Sequence, residues 1–338
     1  MLLTSGSPAS ANCLIASSNE RLANFCLIER TKNSVIPLGL ATLLDYRLKR
    51  SGRSTGIGFP VQVKQTDFQP FASPILHYSP NINGGNPNKQ LVLGGVKFNS
   101  DPNLKRKKGM VIGANFGLNG RSIYGDEKYI DINLNASYAH SPKHNIGIKS
   151  LAGNFCSKNH IKEGWYFDIC GGASRVSKKI QNEQIKYTKF LISKLLSSHP
   201  FKHHQNTWGL ERFFADNYTQ NQFLFSHQTL SKAGYLWNVT IKSGEPFRGK
   251  LVTRKDLNWS LTKEIKNKRF KISGGFRSAS GGKVFGFDRE EQTNYVQLSY
   301  QVFKHVNFRL GYTKTDSNID YFSASEPTLS MQFGSLDF

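Results

Sequence analysis

The chain has 338 residues, of which 38% are hydrophobic, and a formal net charge of +22. That length suits one large domain or two small ones, and that polarity excludes a helical membrane protein. The charge divides as +4 over residues 1–69 and +18 over the remainder; it is scattered through turns and polar strand faces with no nucleic-acid module beside it, so no nucleic-acid partner is expected.

At the start, Ser7-Pro-Ala-Ser-Ala11 has the small-residue form of an export cleavage site, with Ala9 and Ala11 at its Ala-x-Ala positions. Only a few residues precede it, without the basic and apolar regions of a full signal. Two readings stand: residues 1–11 are the remnant of an export signal whose start lies upstream of Met1, or they are a disordered Ser/Ala-rich terminus. Residues 12–69 lack clean alternation and read as an N-terminal extension or plug, partly flexible, or equally as a disordered leader. They hold an expected helix over residues 38–48, then the basic, flexible run 49–58. The longest apolar run, residues 35–44, is about half of the ~20 residues a spanning helix needs.

Four cysteines fall into two local pairs, Cys13/Cys26 and Cys156/Cys170. Neither has Cys-x-x-Cys spacing, which disfavours a metal or redox site. The polar stretch between Cys156 and Cys170 is flanked by strand-like segments, which places the two sulfurs across a hairpin. Disulfides there imply an oxidising compartment, and buried free thiols are the other reading.

From residue 70 the chain reads by period two. Ile130, Ile132, Leu134, Ala136 and Tyr138 share one face; Asp131, Asn133, Asn135 and Ser137 share the other. The pattern recurs over residues 235–242, 257–262, 270–277 and 308–313. Lengths of about nine to eleven residues match a tilted strand crossing a bilayer. Connections sort into short ones (141–144, 231–234, 265–268, 304–307) and long ones (99–108, 119–128, 243–250, 278–291, 316–326), the asymmetry of an outer-membrane barrel. About fifteen strand candidates follow residue 70; single-chain barrels take an even number, so fourteen is expected.

With the apolar face turned outward, phase places Lys149, Lys242, Arg254, Lys271, Arg277 and Arg309 in the lumen, against Asp131, Asp168 and Asp256. An open lumen with that excess would favour anions; a packed one would use the same residues as an internal salt-bridge network. The loop run Lys105-Arg-Lys-Lys108 is either a solvated turn or a contact for lipid phosphates or another anion. His199, His203 and His204 crowd one turn with no carboxylate close in sequence, so no metal site is assigned. There is no nucleophile elbow and no phosphate loop. A non-enzymatic protein without a cofactor is expected.

Gly311-Tyr312, then Asp316-Ser-Asn-Ile-Asp-Tyr321, then a last alternating strand closing on Phe338, resembles the end of the barrel domain in the surface lipoprotein assembly modifier family. Residues 73–89 (Ser73-Pro-Ile-Leu-His-Tyr-Ser-Pro80 onward) with Ser137-Tyr-Ala-His-Ser-Pro-Lys-His144 resemble uncharacterised outer-membrane barrel proteins of alphaproteobacteria, over most of residues 70–338. These resemblances imply fold and outer-membrane location. The lipoprotein-assembly family carries a helical repeat domain ahead of its barrel, and residues 1–69 have no such period.

In the last strand Leu329, Met331 and Phe333 share one phase, and Leu336 and Phe338 the other. One extra residue near Gly334-Ser335 would reconcile them. The expectation is therefore an all-β protein: an antiparallel transmembrane β-barrel of about 14 strands over residues 70–338, closed through Phe333, Leu336 and Phe338. Its C-terminal strand would meet the barrel-insertion machinery, and its surface would meet outer-membrane lipid. The expected function is passage or binding of small solutes, anions among them, through a basic lumen. The alternatives are a barrel assisting export of surface lipoproteins and a soluble secreted all-β adhesin or lectin.

Overall fold

The computed structural model describes residues 13, 15–16, 19–31, 38–52, 66–199, 202–215, 218–303, 305–333 and 336–337. Two helices come first, α1 (Glu20–Thr31) and α2 (Leu38–Arg50). Strand β1 (Thr66–Ser79) precedes a small hairpin, β2 (Gln90–Leu93) and β3 (Val96–Asn99), which lies outside the main sheet. Then follow β4 (Gly109–Gly125), β5 (Lys128–Ser141), β6 (Ile146–Lys162), β7 (Trp165–Ser177), β8 (Asn182–His199), β9 (Lys202–Ala215) and β10 (Tyr218–Leu230). The set ends with β11 (Tyr235–Gly244), β12 (Val252–Ile265), β13 (Lys268–Val284), β14 (Phe287–Phe303), β15 (Val306–Ser317), β16 (Ala324–Phe333) and the short β17 (Leu336–Asp337).

Each main-sheet strand pairs antiparallel with its neighbour in sequence, and β16 returns to pair with β1, so β1 and β4–β16 make a closed barrel of fourteen strands. The barrel starts at Thr66, ahead of the boundary expected at residue 70. Closure carries a register offset. Ile75 faces Gln332 and Ala72 faces Leu336, so the C-terminal strand spends one residue more than β1 over the same stretch. That extra residue keeps Met331, opposite Leu76, and Leu336, opposite Ala72, on the same side of the sheet. Phe338 lies outside the described residues.

The two ends of the barrel differ. At the end where β1 begins and the chain stops, the connections are 126–127, 163–164, 200–201, 231–234, 266–267 and 304–305. At the other end they are 80–108, 142–145, 178–181, 216–217, 245–251, 285–286 and 318–323. Short turns mark the periplasmic end of such barrels, so the first is the turn end and the second the outer, loop end. Two sequence-expected long loops are corrected: residues 119–128 and 278–291 are mostly strand, reversed by tight turns at 126–127 and 285–286. Connection 142–145 also lies at the opposite end from 231–234. Glu163-Gly164, Lys266-Asn267 and Phe285-Gly286 have positive φ at both residues, the two-residue turn whose twist matches that of paired strands. Barrel strands run from 10 residues in β11 and β16, within the nine to eleven expected, to 18 in β8; most exceed that range, so much of the wall projects beyond the ~9–11 residues a bilayer crossing needs.

The outer face is apolar, with Leu134, Leu151, Phe155, Phe190, Leu210 and Leu310 all exposed. Such a surface belongs in lipid, because a closed sheet satisfies its own backbone and leaves only side chains to face hydrocarbon. All four tryptophans point outward, and Trp165 and Trp237 sit at the turn-end starts of their strands, where amphipathic rings settle at a membrane interface. No described helix is long and apolar enough to cross a membrane.

Deleting Ser335 shortens the chain by one residue between Gln332 and Leu336, which abolishes their offset against β1 and turns Leu336 toward the lumen. The deletion variant is expected to lose the fast-migrating folded form on an unboiled denaturing gel, whereas Ser335→Ala retains it.

Candidate functional site

The lumen is built by the polar phase of each strand, and its turn end is filled by the N-terminal segment. Arg121 on β4 faces Asp131 on β5, and Lys158 on β6 reaches the same carboxylate. Arg121 donates from Nε to Asp131 Oδ1 at 2.6 Å and from Nη1 to Glu20 Oε2 of α1 at 2.8 Å and to the Arg50 carbonyl at 3.1 Å. Arg21, the next residue of α1, makes a two-pronged bond to Asp168 on β7, at 2.7 and 2.8 Å. Its guanidinium also stacks over Tyr166, and that of Arg121 over Tyr129, each at 4.2 Å. Burial alone would lower the Arg21 pKa; the hydrogen bond and charge of Asp168 outweigh it and raise Arg21 above the ordinary arginine value.

Asn19 caps α1, accepting at Oδ1 from the Leu22 N–H at 3.2 Å while its amide donates to Gln205 and Gln228 on the barrel wall. Below these polar anchors Leu22, Leu27, Leu44 and Leu48 pack against the lumenal residues Tyr166, Leu195, Leu230 and Leu236. Cys13 and Cys26 form a disulfide inside this cluster, both fully buried. The plug is thus a small apolar core whose charged rim is bonded to the wall. All of these contacts fall on β4–β11.

Further up the same wall, the Glu211 carboxylate, 1% exposed, takes Lys189 on one oxygen and Lys242 on the other, the latter at 2.8 Å. Asp256 pairs with Arg277 at 3.3 Å. At the loop end, residues 80–108 fold across the mouth. Asn83 is fully buried, accepts from the Lys107 N–H and donates to the Lys105 carbonyl, and its own carbonyl takes the Ile180 N–H. Asn88 donates to the carbonyls of Asp320 and Ser323 on the far side. A cavity of about 380 Å³ beneath this lid is lined by Arg106, Arg289, Glu291 and Glu326, with Arg106 bonded to Glu326 and Arg289 to Glu291.

Of the residues expected in the lumen by phase, Asp131, Asp168, Lys242, Asp256, Lys271, Arg277 and Arg309 are there. Lys271 and Arg309 face Ser299 from either side, and neither forms an ion pair with a described residue. Two assignments are corrected. Lys149 is directly opposite Tyr138 on the lipid side, because the inward phase of β6 runs through Ser150, Cys156 and Lys158. Arg254 is the extra residue of a bulge between Thr253 and Lys255, where counting by twos no longer applies. The crowded histidines do not form one site: His203 is buried in the lumen against Phe25 of α1, while His204 points outward and bonds Ser198 and Thr229. The side chain of His199 lies outside the described residues. Cys156 and Cys170 are direct partners across the β6–β7 hairpin, on the lumen face, and are joined by a disulfide.

Sequence reading missed Lys158, Lys189 and Glu211, which strand phase could have supplied, since Lys158 shares the phase of Cys156. It also missed Glu20 and Arg21, which carry no such signal: on a short helix, charges look like a solvated face.

No protein-family model matches the chain, and no curated protein matches it in sequence. Among solved structures it is similar to OccAB3 of Acinetobacter baumannii, at 6% identity over 81% of this chain and 100% of that one, with a TM-score of 0.42. It is also similar to OccK2 of Pseudomonas aeruginosa, solved with glucuronate (8% identity, 81% and 98% covered, TM-score 0.40), and to a BenF-like porin of Pseudomonas fluorescens Pf-5 (8%, 82% and 100%, TM-score 0.37). Likeness this distant bears on neither substrate nor mechanism.

Asp168→Ala leaves Arg21 buried without its carboxylate, a loss of about 3 kcal/mol for an ion pair of this burial. The variant is expected to expose its N-terminal segment to protease while the barrel stays heat-modifiable. The double change Arg21→Met with Asp168→Leu removes the stranded charge and should restore most of the protection.

Proposed function

We propose that the chain is an outer-membrane channel for small anionic solutes, held shut at its periplasmic end by its own N-terminal plug. The observation that carries this reading is the division of lumenal charge. On the plug-bearing wall the carboxylates of Asp131, Asp168 and Glu211 are each saturated by cations. Across the barrel, Lys271 and Arg309 have no such carboxylate, and beside Arg309 a cavity of about 760 Å³ runs along β1, β15 and β16, lined by Ser73, His77, Asn115, Gln297 and Ser330. An uncompensated cation in a narrow, low-dielectric passage concentrates counter-ions and repels cations. Hydroxyl and amide groups around it can replace part of a solute's hydration without trapping it.

The resemblance of the C-terminal strands to the lipoprotein-assembly barrels is the second reading. It would use the lumen or its seam for a lipidated protein. The plug bonded into the turn end and the loop bonded over the mouth favour a small solute instead.

In planar bilayers under a salt gradient, the folded protein is expected to give anion-selective steps, more often open in Asp168→Ala, where the plug is loosened. Lys271→Gln with Arg309→Gln should move the reversal potential toward zero while unitary conductance keeps its order of magnitude. Absence of steps from Asp168→Ala protein that is demonstrably folded would overturn the channel reading; an unmoved reversal potential in the double variant would overturn the role of the two cations.

A further inference from the structure

The misassigned Lys149 has company on the outer surface. Counting by cross-strand partners from Lys149, which shares its face with Tyr138, the outward positions of the next strands include Arg175 on β7 (opposite Leu151), Lys186 on β8 (opposite Ala173) and Arg212 on β9 (opposite Thr188). All four are exposed. Each lies within five residues of the loop end of its strand, and each is set two residues toward the turn end from the partner of the one before it, so they form one diagonal row on four consecutive strands. None forms an ion pair with a described residue; the Arg212 guanidinium rests 5.6 Å from the Phe214 ring. No acid neutralises them from the same face. Strands β6–β9 contain only Asp168, Glu183 and Glu211, and all three are in the inward phase.

The level of this cluster identifies its surroundings. Toward the turn end, the outward positions on the same strands include Leu151, Phe155, Ile169, Phe190 and Leu210, exposed and apolar. Counted from the turn end, Arg175 and Arg212 come eleventh on their strands and Lys149 and Lys186 fourteenth. Since ~9–11 tilted residues cover the hydrocarbon, these cations stand where acyl chains give way to outer head groups. Elsewhere near the loop end, outward Lys314 is paired with Asp316. Strands are about 4.8 Å apart, so β6 to β9 spans roughly 14 Å, too wide for one phosphate to touch all four side chains.

We propose that Lys149, Arg175, Lys186 and Arg212 form a lipid site for a diphosphorylated glycolipid head group of the outer leaflet. Lys149 and Arg175 take one phosphate and Lys186 and Arg212 the other. The arginines supply planar two-donor contacts, the lysines compact charge. The site is independent of the channel reading, because none of its four residues faces the lumen.

The test uses the full chain in vesicles of zwitterionic phospholipid containing a diphosphoryl disaccharide lipid, its dephosphorylated form, or a monophosphate phospholipid at matched charge. Bound lipid is counted by native mass spectrometry, and the temperature at which the folded gel form is lost is recorded. The diphosphoryl lipid alone should stay bound and raise that temperature. Lys149→Gln with Arg175→Gln, and separately Lys186→Gln with Arg212→Gln, should each weaken binding, roughly fivefold per cation removed. Lys255→Gln with Lys314→Gln should not. Binding unchanged in both double variants, or equal with the dephosphorylated lipid, overturns the site. Equal stabilisation by the monophosphate lipid overturns its two-phosphate specificity. Retention of the fast-migrating gel form in the variants shows that they are folded, so a loss of binding is attributable to the site.

Discussion

A sheet surrounded by hydrocarbon has no water to satisfy an edge, so its last strand has to reach its first. In this chain that requirement is met by the pairing of β16 and β17 with β1, and the rest follows from it. Once the ring closes, every strand has one face in lipid and one in the lumen, and the sequence must obey both solvents at alternate residues. The one-residue offset between Gln332 and Leu336 is a local adjustment that lets the C-terminal segment keep its apolar residues outward to the end of the ladder.

Closure also accounts for the way charge is handled. A lumenal cation that keeps its water, such as exposed Lys271 on the wall opposite the turn-end helices, needs no carboxylate beside it. The wall that carries the helices differs. There, Asp131 is shared by Arg121 and Lys158, Glu211 by Lys189 and Lys242, and Asp168 is bonded to Arg21 of α1. Removing water from these groups is costly, and the multiple short bonds offset the cost. The same logic runs outside: cations on the lipid face lie near the strand ends, where head groups can reach them, and between those levels the face is mainly aliphatic and aromatic.

How much of this could be read from the sequence depended on period. Where alternation is unbroken, as from Ile130 to Tyr138, the inward and outward faces follow directly. A count by twos fails wherever the strand start is placed one residue off, which put Lys149 in the wrong medium, and at a bulge, which left Arg254 without a face. The tight turns at 126–127 and 285–286 were hidden inside what reads as long polar loops, because two residues of ordinary composition do not stand out and the left-handed backbone of Glu127, Phe285 and Gly286 is visible only in the structure; the turn at Lys266-Asn267 was legible as a short connection. The disulfide partners were legible from local spacing. The seat of α1 was not, because its contacts to Asp168, Gln205 and Gln228 join residues with no sequence relation to it.

That seat has a consequence for the order of assembly. The bonds from α1 to the wall span 147, 186 and 209 residues of sequence. Contacts that distant form late, since the loop they close must first lose its freedom. Docking of α1 therefore comes late: Leu22 and Leu27 have no lumenal wall to bury against until strands through β11 are in place. The Cys13–Cys26 bond lies within this segment, so unlike the contacts of Leu22 and Leu27 it does not depend on the wall.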